Sequence, residues 1–124
     1  MKDKLHIMFK LREEFMQEIN KCAGVYPDGW PLDLSKKSSQ QQIREVTLRG
    51  VEEIFEALQL LKNTKDHRMT DIPEIDRDEF LEEFVDAQNY FISLLILSGY
   101  SIDDFFDAYI KKHNIILERI ANRY

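Results

Sequence analysis

The residues best equipped for chemistry are carboxylates in two short runs. Glu52, Glu53 and Glu56 fall in one, and Glu79, Glu82, Glu83 and Asp86 in the other. Residues three apart share a helical face. Glu53 with Glu56, and Glu83 with Asp86, then form two paired carboxylates. On facing helices the pairs would meet in one cleft and repel strongly unless a cation sat among them. Carboxylate oxygens suit Mg²⁺, with Mn²⁺ as a substitute. Acidic helical residues more often form a solvated face, so a single pair defines nothing. Two pairs on successive helices, each flanked by apolar residues, carry more weight.

A second constellation lies near the end of the sequence: Lys111, Lys112, Arg119 and Arg123, followed by Tyr124. Cations near a helix C-terminus commonly complement its dipole. Lys112 and Arg119, seven apart, share a face, and beside a metal cluster such a basic face is what a triphosphate needs. His6, His67 and His113 have no ligand spacing. No Gly-rich phosphate loop, zinc motif or nucleophilic triad is present.

Four helices must position these groups. Leu5, Met8, Phe9, Phe15, Met16 and Ile19 give an apolar face to a helix from about Asp3 to Cys22, stopped by Gly24. A turn-rich loop to Lys37 carries Pro27, Gly29, Trp30 and Pro31. Trp30 could stack on a base or, equally, roof the core. The stripe Ile43, Val46, Val51, Ile54, Phe55, Leu58 and Leu61 predicts a second helix from about Ser39 to Lys62. Asp76 and Glu79 have the spacing of a capping box opening a third, ended by Gly99. Ser101 and Asp104 repeat that spacing at the start of a fourth. Strand signals are absent. The expected fold is all-α, of four-helix-bundle type. Phe80, Phe84, Ala87, Phe91, Leu94 and Leu95 form a band broad enough to bury the third helix on more than one side, or to meet a second subunit.

At 124 residues the chain is expected to be one domain, residues 1–124. A formal charge of -6 argues against a nucleic-acid partner, which would require clustered cations. An acidic protein can still hold an anionic nucleotide through metal ions and a few local cations. The single cysteine, Cys22, permits no internal disulfide, so a reducing, cytoplasmic setting is expected. The apolar stretch Tyr90 to Leu97 is too short to span a bilayer, and no membrane partner is expected.

Glu53-Ile-Phe-Glu56 followed by Glu83-Phe-Val-Asp86 resembles the ExxE…ExxD signature of the all-α NTP pyrophosphatases, which include MazG-like enzymes, dCTPases and dimeric dUTPases. The tail from Tyr109-Ile-Lys111-Lys112-His113-Asn114 through Arg119 to Tyr124 resembles the "YxKKN…N…R…GY" ending of phage and bacterial dimeric dUTPases and phage dCTPase/dUTPases. Leu5 to Ile19 is similar to their first helix. The resemblance implies Mg²⁺-dependent conversion of a dNTP to dNMP and pyrophosphate by a homodimer or larger assembly. It makes Glu53, Glu56, Glu83 and Asp86 metal ligands, and Lys112 and Arg119 phosphate contacts, with Tyr124 closing the site. Glu53, or its neighbour Glu52, would orient the attacking water.

The departures fall where the base is read. Arg12 and Met16 replace the Gln and Asn of dimeric dUTPases, Asn89-Tyr90 replaces His-Phe, and His113 and Ile116 replace tail asparagines. Arg12, Asn89 and Trp30 are thus candidate base contacts, Arg12 offering donors only. dUTP or dCTP is the expected substrate; the alternatives are a purine dNTP such as dGTP, or a helical interaction protein without catalysis.

Overall fold

The computed structural model describes residues 3–123. Four helices account for its regular structure: α1 (Lys4–Ala23), α2 (Lys37–Leu58), α3 (Arg77–Leu97) and α4 (Ile102–Ala121). No strand occurs among the described residues. The fold is all-α.

The helix ends follow from local chemistry. Asp3 caps α1 by accepting from the His6 N–H at 2.9 Å, and Gly24 closes it in the left-handed region at φ 61°. Asp76 caps α3 by accepting from the N–H groups of Asp78 and Glu79, while Ser101 and Asp104 form the full reciprocal box that opens α4. After α3 the Gly99 N–H bonds to the Ile96 carbonyl and the Tyr100 N–H to that of Leu95, a Schellman closure that requires the positive φ of Gly99. The second helix ends earlier than its apolar stripe predicts, at Leu58 rather than Lys62. The N–H of Gln59 splits between the Phe55 and Glu56 carbonyls, and Leu60 and Leu61 bond three residues back. The last turn tightens and releases the chain.

The third helix is the hub. It packs along α2 and more briefly on α1, whereas the backbones of α1 and α2 do not approach each other. Gly50 allows the α2–α3 approach: a Cβ there would lie 2.9 Å from the Phe91 ring and 3.2 Å from Tyr90 Cβ. Met16, Val46, Ile92, Ile96 and Leu97 form the core with Tyr26 and Leu32 from the loop after α1. Trp30 belongs to this cluster. Its ring meets Tyr26 edge-on at 5.8 Å and its Nε1 donates to Glu13 Oε2. Burial of α3 is confined to its second half: Ala87, Ile92, Ser93, Ile96 and Leu97 are buried, while Phe84 is 41 % exposed.

One expectation needs correction. Within the chain α4 is not the fourth member of a bundle, because it approaches only α1 and buries none of its residues. His6 ties the two at their beginnings, with Nδ1 2.9 Å from Asp3 Oδ1 and Nε2 3.1 Å from Asp103 Oδ1. The apolar stripe of α4, including Phe105, Phe106, Tyr109, Ile116, Leu117 and Ile120, is exposed.

Candidate metal centre

The α2–α3 packing brings three of the four signature carboxylates together. Glu53 and Glu56 from α2 and Glu83 from α3 each offer an oxygen, all within 4.8 Å of one another. The i, i+3 spacing aligns the first pair, and the hub position of α3 delivers the third. Asp86 is outside this trio but lines the same groove as Glu53, and its charge is felt by both Glu53 and Glu83.

The electrostatics are those of crowded acids. Desolvation, then contact with Glu56 and the charges of Asp86 and Glu83, push Glu53 above the usual carboxylate range. Desolvation, then Glu56 and Asp86, push Glu83 the same way. Glu83 Oε2 is shielded from solvent and has no hydrogen-bond partner among the described residues. A shielded carboxylate oxygen without a donor, facing two more carboxylates, fits a divalent cation that takes oxygen ligands.

A groove of about 1210 Å³ opens beside the trio, between α1 and α2 and over α3. Glu53, Asp86 and Asn89 line it, with Arg12, Tyr26 and Tyr90 also in its wall. Arg12 is half-buried: its Nε donates to Ser93 Oγ at 2.7 Å and its guanidinium lies 4.5 Å over the Phe15 ring.

The other sequence candidates lie elsewhere. Glu52 lines a neighbouring 330 Å³ depression with Arg44 and Leu48, which shares Glu45 and Arg49 with the groove but not Glu53, because consecutive residues diverge by about 100° around a helix. Trp30 is not part of the groove lining, being held by Tyr26 and Glu13. Lys112 and Arg119 are exposed on α4, which approaches neither α2 nor α3, so within one chain they stand apart from the carboxylates. Tyr124 lies outside the described residues. Sequence reasoning missed Ser93, Tyr26 and Gln42. Ser93 had a signal, being the polar interruption in an apolar stretch and wholly buried in the structure; Tyr26 and Gln42 had none, since only tertiary packing turns them to the groove.

No protein-family model, curated protein or solved structure matches the chain. No helix among the described residues is long and apolar enough to cross a membrane.

Proposed function

We propose that the protein is a Mg²⁺-dependent nucleotide pyrophosphatase of the all-α NTP pyrophosphatase type, hydrolysing a dNTP, with dUTP and dCTP foremost, for nucleotide-pool control. The observation that carries this is the convergence of Glu53, Glu56 and Glu83 within 4.8 Å of one another, with Glu53 also lining a groove of nucleotide scale or larger. Glu53, Glu56 and Glu83 would hold the cation, with Asp86 beside them; Mn²⁺ suits the same oxygens. When bound, the ion neutralises phosphate oxygens and lowers the pKa of a bound water.

Glu53, which belongs to the trio and also lines the groove, would orient that water and accept its proton. The water oxygen bonds to the α-phosphorus and the bond from that phosphorus to the α–β bridging oxygen breaks. The products are dNMP and pyrophosphate. Cations must offset charge on the departing pyrophosphate. Lys112 and Arg119 would do this from a second copy, in a homodimer or larger assembly. Two features support that assembly: the exposed apolar stripe of α4, and the complementarity of its cations to the carboxylate trio.

The same stripe favours a second reading, a helical interaction protein without catalysis. A pyrophosphate-release panel over all deoxy- and ribonucleoside triphosphates, with Mg²⁺ or EDTA, separates the two. Metal-dependent release from one or two dNTPs is expected; a purine winner would point to a MazG-like preference. No release from any nucleotide overturns the enzyme reading.

A further inference from the structure

We infer that Arg12 makes the groove selective for a base presenting two adjacent hydrogen-bond acceptors: guanine through N7 and O6, or cytosine through N3 and O2. This rests on the nucleotide reading above and narrows it, keeping dCTP and setting dUTP aside.

Arg12 is held unusually firmly for an arginine in an open groove. Its Nε donates to Ser93 Oγ at 2.7 Å, and Ser93 is 0 % exposed in the core. The guanidinium lies 4.5 Å from the centre of the Phe15 ring and 5.5 Å from that of Tyr90. These contacts fix the plane and direction of the head. With Nε committed, the two terminal nitrogens remain as a planar fork of donors.

That fork has no carboxylate within ion-pair distance among the described residues. Asp86 and Glu53 line the same groove, and Asp86 influences Arg12 only through its charge. A partly desolvated guanidinium without a partner is costly, and a ligand supplying two acceptors removes that cost. Guanine O6 and N7 match the fork in the way familiar from groove recognition of DNA. Cytosine N3 and O2 present the same pattern. Adenine sets an amino donor beside N7, and uracil and thymine set N3–H beside each carbonyl. Each of those would aim a donor at a donor, and a site built for hydrogen bonding rejects such a mismatch strongly. Arg12 and the carboxylates Glu53 and Asp86 thus line one groove, where a single nucleotide would meet both.

The test is equilibrium binding, with Mg²⁺, of the non-hydrolysable α,β-imido analogues of dGTP, dCTP, dATP, dTTP and dUTP. The proteins are the full chain and its Arg12→Gln, Arg12→Lys and Ser93→Ala variants, each also followed by thermal unfolding. The parent should bind the guanine or cytosine analogue on the order of tenfold or more tighter than the other three; the ratio between those two identifies the base. Arg12→Gln should erase that preference, and Arg12→Lys, which keeps the charge but not the fork, should not restore it. Ser93→Ala leaves Arg12 present but unfixed, so selectivity should fall even if Arg12→Gln does not fold. Equal binding of all five analogues by the parent overturns the inference. So does an equal loss across all five in Arg12→Gln, which would make Arg12 a phosphate contact or a packing group. No binding of any analogue overturns the nucleotide reading itself, a result distinct from equal binding.

Discussion

Glu53, Glu56 and Glu83 sit close enough that ionising all three costs free energy, and desolvation adds to the cost at Glu53 and Glu83. Both have folded-state pKa values above the ordinary 4.5. Their contribution to stability is therefore fully present below that value and is lost as pH rises through the raised folded values. Metal-free protein should lose stability over that window. Mg²⁺ should restore it at neutral pH and do little at pH 4, below the raised values of Glu53 and Glu83. Thermal unfolding against pH, with and without Mg²⁺, checks this; an Mg²⁺ shift as large at pH 4 as at pH 7 would sink the site. Glu56→Gln and Asp86→Asn should each lower kcat by on the order of 10²-fold or more, reflecting several kcal/mol of lost charge stabilisation. Metal-free Glu56→Gln should melt no lower than the parent, since it removes a repelling charge. Wild-type turnover in both variants would refute the ligand assignment. The i, i+3 pairs were legible because that geometry is local. The Arg12–Ser93 bond joins residues 81 apart in sequence, and nothing local in either points to the other.

At the scale of the element, caps were the most legible feature. Asp76, Ser101 and Gly99 act within one turn of their own positions, so residue type alone announces them. The end of α2 was not legible: Gln59 to Lys62 continue a helical pattern with no Gly or Pro, yet the helix ends at Leu58. The close approach at Gly50 was equally hidden, since a glycine inside a helical pattern reads only as a mild cost. Gly50→Ala tests its role. Helix propensity gains about 1 kcal/mol, but overpacking against Phe91 and Tyr90 Cβ costs about 1–3 kcal/mol. A net loss of about 1 kcal/mol is expected, read as a lower midpoint in denaturant at unchanged m-value. An unchanged or raised midpoint would mean that the ring moves aside freely.

For the whole molecule, the helix count and class were readable, and the placement of α4 was not. Amphipathicity says that a stripe must be covered but not by what, and within this chain the stripe of α4 is left bare. If a second copy covers it, replacing Phe106 and Leu117 by Glu should turn a dimer or larger assembly into a monomer by light scattering. Helicity should persist, because neither residue is buried. A parent already monomeric at micromolar concentration would remove the assembly and its trans-acting cations together. The separation of α1 from α2 has a mechanical meaning as well. Each meets α3 backbone to backbone and shares only core side chains such as Met16 and Val46 with the other, so the groove is an angle whose two arms lack a crossbar at the open side. A nucleotide reaching from Arg12 to the carboxylates would be that crossbar, stiffening the frame that holds it. Occupancy would then be felt as rigidity far from the bound atoms, in slowed amide exchange along both arms.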